Sequence, residues 1–259
     1  MSTAALFVFA IVLLLVAPRI FLPPQPKSEF QGLLKPMRWL NSAYCFFWHR
    51  LDAEHAPLPK HGPVLVIANH TCAIDHTLLM ATSNRVLSFL IAKQFYDDRF
   101  FGTISKILKC IPVKRDGQDL GATRAAIRAL ESGRAVAIFP EGRISQHSGR
   151  HLLPGKAGVG FIALKSKVPV IPAFIYGAPC SNQFWPCLAT SSQTHVLYGP
   201  PVDLADLIAH DGGRDDIQVA TDRLMGALRD LQTQARERDP AWWNVESQPI
   251  SDPDPVPAT

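Results

Sequence analysis

Short apolar runs alternate with amphipathic stretches along most of the chain after Pro57-Leu58-Pro59. The apolar runs have the length of strands, and apolar residues recur at helical spacing in the stretches between them. The runs predict six strands, at residues 64–68, 86–92, 110–114, 135–139, 169–176 and 194–198. The stretches predict helices at residues 75–82, 94–108, 120–132 and 158–166, then a late helix that carries Ile217, Leu224, Leu228 and Leu231. This alternation is typical of a single α/β domain with a largely parallel, mixed sheet flanked by helices.

The first 22 residues have a different pattern. No charged side chain precedes Arg19, and the apolar run at residues 4–17 is long enough for roughly 21 Å of helix. The hydrocarbon core of a bilayer is about 30 Å thick, so residues 1–22 are predicted to be a membrane anchor that either spans marginally or enters one leaflet. The basic residues follow this segment, which predicts that the body of the protein lies at the cytoplasmic face.

Residues 23–56 form the second predicted membrane element, because aromatic and cationic side chains both favour the headgroup layer. These side chains are Phe30, Trp39, Tyr44, Phe46, Phe47 and Trp48, interleaved with Lys35, Arg38 and Arg50. The alternative is that the aromatic rings pack on the globular domain. That domain is predicted at residues 57–240, and a tail at 241–259 is predicted to be disordered from residue 251.

Composition excludes several classes of protein. The content of 47% hydrophobic and 19% charged residues is that of a folded chain. A net charge of +4 without a run of Lys and Arg suits an anionic membrane surface or substrate, and predicts no nucleic-acid partner. Five cysteines with no C-x-x-C pair predict neither a disulfide framework nor a zinc site. Gly155, Gly158 and Gly160 do not match a nucleotide-binding fingerprint, so they are expected to allow close helix packing.

A histidine and an aspartate follow the first predicted strand, in Asn69-His70-Thr71-Cys72-Ala73-Ile74-Asp75. Residues just past the carboxyl end of a strand in an α/β sheet are where ligands bind. With His70 in the loop and Asp75 in the first turn of the next helix, the carboxylate can fold back onto the imidazole. Such a pair makes a general base, because the carboxylate fixes the tautomer and stabilises the imidazolium. Taken alone, this spacing is more often structural than functional.

Two other predicted strands also end in charged residues. Glu141, Gly142 and Arg143 follow the strand at 135–139, while Lys114 and Arg115 end the strand at 110–114. A buried strand that opens onto Glu and Arg indicates a site, because these side chains gain nothing from burial unless they are paired or bind a ligand. The alternative is a solvated loop with an internal Glu–Arg pair. Together the three strand ends suit an anionic substrate with a hydroxyl group to be deprotonated.

In their order and spacing these blocks resemble the glycerolipid acyltransferases, that is, the 1-acyl-sn-glycerol-3-phosphate (lysophosphatidate) acyltransferases and their relatives. The family pattern is N-H-x4-D, a basic block with Arg, F-P-E-G and V-P-x-x-P. The matching blocks are Asn69-His70 with Asp75, Val113-Lys114-Arg115, Phe139-Pro140-Glu141-Gly142, and Val168-Pro169-Val170-Ile171-Pro172. The resemblance covers residues 63–177 and implies a glycerolipid-acyltransferase-like fold.

The resemblance implies transfer of a fatty acyl group from acyl-CoA or acyl-carrier protein to the free hydroxyl of 1-acylglycerol 3-phosphate, which gives phosphatidate. It makes His70 the general base and Asp75 the residue that orients it. It assigns the acceptor's glycerophosphate to a set of binding residues: Arg115, Glu141, Gly142 and Arg143, with Lys114 assisting. It implies no metal and no bound cofactor, since the acyl donor is a co-substrate, and it makes membrane lipid the partner.

One departure from the family pattern concerns the acceptor. The usual lysophosphatidate enzymes have Thr after the Gly and then Arg, whereas here Arg143 follows Gly142 directly and Ile144 takes the usual Arg place. The Glu-Gly-Arg-Ile order is more like the lysophospholipid acyltransferases, so an acceptor with a head group such as ethanolamine stays open. An alternative of another class is a membrane lipid-binding protein that keeps the fold without turnover.

Overall fold

A seven-stranded mixed sheet organises the part of the chain that the structure, a computed structural model, describes. The described residues are 29–114, 119–144, 150–179, 181–209 and 213–244. The strands are β1 (Asp52–Ala53), β2 (Val64–Ala68), β3 (Leu87–Ala92), β4 (Ile111–Val113), β5 (Ala135–Ile138), β6 (Val170–Tyr176) and β7 (His195–Tyr198). Their spatial order is β1-β7-β6-β2-β5-β3-β4. Neighbouring strands are parallel except β6 and β7, which confirms the predicted α/β class and its largely parallel sheet.

Helices cover both faces of this sheet. They are α1 (Leu34–Trp48), α2 (Asp75–Thr82), α3 (Lys93–Asp97), α4 (Arg99–Ile107), α5 (Leu120–Glu131), α6 (Ala157–Ser166), α7 (Phe184–Ala189), α8 (Ala205–Ala209), α9 (Arg214–Arg238) and α10 (Pro240–Asn244). Alternate side chains of β2 enter two different cores: Val64 and Val66 pack with residues of α2, whereas Leu65 and Ile67 pack with residues of α5, α6 and α9. The central strand is therefore buried on both sides, as is usual for parallel sheets.

All six predicted strands are present, and each of their ends agrees with the prediction to within one residue. The sequence did not predict β1, because its two residues, Asp52 and Ala53, have no recognisable strand pattern. The prediction of one helix at residues 94–108 is wrong, since α3 and α4 are separate. Asp98 lies between them with extended backbone, and its carboxylate accepts a hydrogen bond from the Phe101 N–H at 2.9 Å, so it caps α4.

Two glycines of α6 and the loop before it permit close contact with α9. A methyl group on Gly160 would collide with the Ile217 carbonyl oxygen and the Thr221 hydroxyl, and one on Gly155 would lie 2.7 Å from Met225 Cγ. A methyl group on Gly158 would have no neighbour within 4 Å. The predicted packing function is confirmed for Gly155 and Gly160 only. As a result, α9 lies directly against α6 on the face that carries Leu65 and Ile67.

The described part of the predicted interfacial segment both packs on the domain and exposes apolar side chains. Asn41 of α1 donates a hydrogen bond to the Thr77 carbonyl at 2.8 Å, and the Tyr44 hydroxyl donates one to the Leu188 carbonyl at 2.7 Å. Other large apolar side chains of this segment are exposed: Leu33, Leu40, Phe46, Phe47 and Trp48. Among the described helices, none is long and apolar enough to cross a bilayer. The predicted anchor at 1–22 and the predicted disorder from 251 lie outside the described residues.

Candidate active site

The carboxyl ends of the parallel strands meet at one edge of the sheet, and His70 lies there. It follows β2 by two residues, and Asp75 begins α2. His70 Nδ1 lies 2.8 Å from Asp75 Oδ2, so the loop does fold the carboxylate back onto the imidazole. The His70 side chain is 14% exposed, whereas that of Asp75 is fully buried. The structure therefore brings together the two residues that the sequence singled out for a general base.

The Asp75 carboxylate is held by several donors from its own loop. Besides His70, the backbone N–H groups of Thr71 and Cys72 donate to Oδ2, at 2.6 and 3.0 Å. The Thr71 hydroxyl and the Cys72 thiol donate to Oδ1, at 2.6 and 3.1 Å. Burial alone would raise the pKa of Asp75, but the hydrogen bonds from His70, Thr71 and Cys72 outweigh it, so the pKa lies below its usual range. The residue is a carboxylate at neutral pH.

This ionised carboxylate determines which nitrogen of His70 carries the proton. A carboxylate only accepts hydrogen bonds, so Nδ1 donates its N–H to Asp75 and Nε2 carries the lone pair. Nε2 makes no hydrogen bond with any residue that the structure describes. The arrangement can thus accept a proton at Nε2 and stabilise the resulting imidazolium through Asp75.

Aromatic rings hold the His70 imidazole in place. The Phe139 ring stacks on it with centroids 4.2 Å apart and an angle of 11° between the planes. The His76 ring meets His70 edge-on at 5.9 Å and also contacts Phe139 and Phe89. Burial, and to a smaller extent the neighbouring His70, lowers the pKa of His76 to about 4, so His76 is neutral at neutral pH. His76 packs as a ring beside His70, a contact that its position at the start of a predicted helix did not reveal.

Glu141 connects the His70 loop to a second loop. Its Oε1 accepts a hydrogen bond from the His70 N–H and its Oε2 accepts one from the Leu153 N–H, both at 2.8 Å. Burial raises the pKa of Glu141 to about 7 although the two backbone hydrogen bonds oppose this shift. In these contacts Glu141 positions His70, and its predicted contact with the acceptor's glycerophosphate stays a prediction.

The other predicted binding residues lie at different distances from His70. Gly142 is next to Glu141 in a turn with a φ of 67°, and Arg143 follows it with an exposed side chain. Lys114 is also exposed, but it follows the edge strand β4, three strand positions from β2 and so roughly 14 Å away along the sheet. The structure does not bring Lys114 next to His70. Arg115 lies outside the described residues.

Sequence reasoning missed Lys156, whose side chain lies against Gly142. A methyl group on Gly142 would be 2.6 Å from Lys156 Cε and 2.9 Å from Nζ. The Lys156 backbone N–H donates to the Pro140 carbonyl at 2.9 Å. The only sequence signal was a Gly-Lys pair at 155–156, which fits no nucleotide-binding motif. Three or more metal-ligating side chains do not cluster anywhere in the described ranges.

A histidine held by a buried carboxylate at the carboxyl edge of an α/β sheet is an arrangement suited to catalysis, and comparison with known proteins identifies the class of protein. The family described as Acyltransferase matches residues 51–176, a range that contains β2, the His70–Asp75 pair, Glu141 and β6. Over these residues, about half of its length, the chain matches the acyltransferase family.

Two relatives and one solved structure have the names of 1-acyl-sn-glycerol-3-phosphate or 1-acyl-sn-glycerophosphate acyltransferases. The 1-acyl-sn-glycerol-3-phosphate acyltransferase of Streptococcus pneumoniae is 22% identical over 225 residues, which are 84% of this chain and 80% of that protein. The probable 1-acyl-sn-glycerol-3-phosphate acyltransferase of Mycoplasma genitalium is 30% identical over 129 residues, but the match spans only 46% of that protein. The crystal structure of the 1-acyl-sn-glycerophosphate acyltransferase from Thermotoga maritima has the same fold, with a TM-score of 0.58 and 18% identity over 93% of this chain and 95% of that one. The chain is an acyltransferase similar to lysophosphatidate acyltransferases.

Proposed function

We propose that this enzyme transfers a fatty acyl group from acyl-CoA or acyl-carrier protein to the free hydroxyl of 1-acylglycerol 3-phosphate, giving phosphatidate. The observation that carries the proposal is the His70–Asp75 pair, in which a buried carboxylate holds Nδ1 and leaves Nε2 without a described partner. The similarity to proteins named 1-acyl-sn-glycerol-3-phosphate acyltransferases supports the choice of acceptor.

The proposed reaction is a direct transfer between the two substrates. His70 Nε2 takes the proton of the acceptor hydroxyl while the hydroxyl oxygen attacks the carbonyl carbon of the thioester. The new C–O bond forms, the C–S bond breaks, and the departing thiolate takes the proton back from the imidazolium. Asp75 stabilises the imidazolium in between, and His70 ends the cycle unchanged.

Cys72 is unsuited to form a covalent acyl-enzyme in this scheme. Its thiol is fully buried and donates a hydrogen bond to Asp75 Oδ1 at 3.1 Å. Burial raises the pKa of the Cys72 thiol well above its usual value, which keeps it protonated. The thiol therefore supports the Asp75 carboxylate, and its small side chain fills space in the loop.

We place the reaction at a membrane, because the acceptor and the product are both lipids. The catalytic domain would lie on the cytoplasmic face, as the basic residues after the apolar N-terminal segment predict. A lysophospholipid with a head group is the second candidate acceptor. The observation that favours it is Ile144, which stands where the usual lysophosphatidate enzymes have Arg.

The test is transfer of labelled acyl groups by the purified, detergent-solubilised protein to lysophosphatidate, lysophosphatidylethanolamine and glycerol 3-phosphate. We expect lysophosphatidate to be the best acceptor and His70→Ala to lower kcat by about 100-fold or more. His61→Ala, which removes an exposed histidine, is the matched control and should leave the rate unchanged. Wild-type transfer by His70→Ala would refute the general base. Preference for the ethanolamine lipid would favour the second acceptor, and no transfer at all would leave the lipid-binding alternative.

A further inference from the structure

Lys156 places a positive charge on the turn that carries Glu141, Gly142 and Arg143. Its aliphatic chain crosses Gly142, since a methyl group there would be 3.0 Å from Cδ, 2.6 Å from Cε and 2.9 Å from Nζ. The backbone of Lys156 is fixed by the hydrogen bond from its N–H to the Pro140 carbonyl at 2.9 Å. The contact therefore links the turn after β5 to the residue that precedes α6.

Among the described residues, no acidic side chain neutralises the ammonium group of Lys156. No carboxylate of the described residues lies within ion-pair distance of Nζ. The nearest acidic residue along the turn, Glu141, uses its two oxygens for the N–H groups of His70 and Leu153. Lys156 is exposed, so a ligand can reach its side chain. An unneutralised cation on the turn that follows Glu141, the residue hydrogen-bonded to the His70 N–H, suits an anionic substrate.

Lys156 also adds a second cation to a turn in which this chain has one arginine, Arg143, at a shifted position. Ile144 occupies the place of an arginine in the lysophosphatidate enzymes, two residues after Gly142. Lys156, which belongs to none of the four motif blocks, reaches the same turn from 14 residues further along the chain. A lysine binds phosphate as a point charge, so it does not need the planar geometry of a guanidinium.

We propose that Lys156 binds the phosphate of the acyl acceptor and so selects an acceptor with a terminal phosphate over one with a head group. The inference rests on the proposed acyl transfer, and it names the acceptor class for the same site. A terminal phosphate carries between one and two negative charges at neutral pH, because its second pKa is about 6. A phosphodiester with a head group carries one, and therefore gains less from the added cation.

The test compares Lys156→Met with Lys165→Met in the detergent-solubilised full chain. Methionine removes the charge but keeps an unbranched chain that can cover Gly142. Lys165 is an exposed lysine in the last turn of α6, the helix that Lys156 precedes, so its variant has the same charge change away from the turn. For Lys156→Met we expect the KM for lysophosphatidate to rise roughly ten- to hundredfold, with kcat and the KM for lysophosphatidylethanolamine within about twofold of wild type. Lys165→Met should match wild type, and Lys156→Arg should keep most of the affinity.

Calorimetric titration of lysophosphatidate into the same variants gives a readout that does not depend on turnover. Lys156→Met should bind lysophosphatidate more weakly than Lys165→Met does, with an unchanged melting temperature. An unchanged KM and affinity in Lys156→Met would overturn the proposal, as would equal weakening for both acceptors or a wild-type preference for the ethanolamine lipid. If the wild type transfers acyl groups to neither lipid, the proposed function fails, and the titration alone decides whether Lys156 binds the phosphate.

Discussion

Gly142 is a residue where one methyl group should weaken substrate binding. Its φ of 67° is in the left-handed region, and an alanine side chain there would also meet Lys156 Cε. We expect Gly142→Ala to lower the free energy of unfolding by about 1–3 kcal/mol because of backbone strain. We also expect the KM for lysophosphatidate to rise severalfold, because the ammonium group must leave its place on the turn. Thermal unfolding and acyl-transfer kinetics measure the two effects.

Gly133 provides the matched control for this strain. Its φ of 82° is also left-handed, but a methyl group on Gly133 would meet nothing within 4 Å. Gly133→Ala should therefore lose stability to a similar extent and keep the wild-type KM. A wild-type KM in Gly142→Ala as well would contradict the link between Lys156 and the acceptor.

His49 should make the stability of the fold depend on pH. Its ring nitrogens bind the Ser192 and Tyr44 hydroxyls, each at 2.7 Å, and burial lowers the pKa of His49 to about 4. In the unfolded chain the pKa is near 6.5, so the unfolded state binds more protons between these values. The stability due to neutral His49 is thus complete above about pH 6.5 and is lost as the pH falls towards 4.

Thermal unfolding of wild type and His49→Gln at pH 7 and pH 5 checks this effect. Glutamine does not titrate in this range, so acid should destabilise the wild type more than the variant. Other titrating groups, such as His76, are present in both proteins and cancel in the comparison. An identical loss of melting temperature in the two proteins would contradict the lowered pKa of His49.

At the scale of elements, the end of β2 is attached to β6 through the side chain of Asn69. Its amide nitrogen donates to the Ile175 carbonyl at 2.9 Å, and its amide oxygen accepts from the Ile175 N–H at 2.7 Å. Asn69→Ala should lower the free energy of unfolding by about 2 kcal/mol or more, because two buried backbone groups lose their partner. It should also lower kcat, since His70 is the next residue. Urea unfolding and acyl-transfer rates measure these changes.

Asn41→Ala separates the loss of stability from the loss of activity. Asn41 also donates a side-chain hydrogen bond to a backbone carbonyl, that of Thr77, but it does so from α1. Its replacement should cost stability with little change in kcat. If Asn69→Ala were as active as Asn41→Ala, the attachment of β2 to β6 would not position His70.

The strands and most helices could be predicted from the sequence because their signals are local. Burial on both faces gives β2 and β6 continuous apolar sequences, and α9 keeps its apolar spacing over 25 residues. The break between α3 and α4 depends on the backbone of Asp98, and β1 exists only through its pairing with β7. These features arise from tertiary contacts, for which a local pattern carries no signal.

The same distinction applies to the site. His70 and Asp75 are five residues apart, so their contact could be predicted from the spacing. The Glu141 hydrogen bond to the His70 N–H joins residues 71 positions apart, and the position of Lys156 on Gly142 depends on where α6 begins. The charged strand ends predicted a site at this edge but not which groups touch. The order of the strands also separates Lys114 from His70, although both follow strand ends.

At the scale of the whole molecule, exposed aromatic side chains lie near the edge of the sheet that carries His70. Trp185 of α7 is 65% exposed and Phe95 of α3 is 41% exposed. Each of these helices follows the carboxyl end of a strand, β6 or β3. The Phe101 ring of α4 lies between them, edge-on to Phe184 of α7 at 4.7 Å and to Phe95 of α3 at 6.0 Å. Large exposed aromatic side chains are typical of a membrane-binding surface.

We predict that Trp185 enters the headgroup layer when the full chain binds vesicles. Trp185→Ser should weaken binding to vesicles that contain anionic lipid by roughly tenfold, as expected for an aromatic side chain that is no longer buried. Val219→Ser, at an exposed apolar position of α9, is the control and should bind like the wild type. Cosedimentation with vesicles measures the affinities. Equal binding of both variants would indicate that other parts of the chain carry the membrane contact.

The two hydrogen bonds of Glu141 have a consequence for protein engineering. They tie the Leu153 N–H and the His70 N–H to one carboxyl group, so the backbone at Leu153 is fixed beside the His70 loop. Arg150 has to be kept in any redesign, because it donates a hydrogen bond to the Trp242 carbonyl at 2.6 Å and lies over the Trp242 ring. Because the entropy cost of loop closure rises only slowly with length, residues between Ile144 and Arg150 can be exchanged or added at small cost. Redesign of residues 145–149 should therefore leave the His70 imidazole in its place, because the two hydrogen bonds of Glu141 do not involve them.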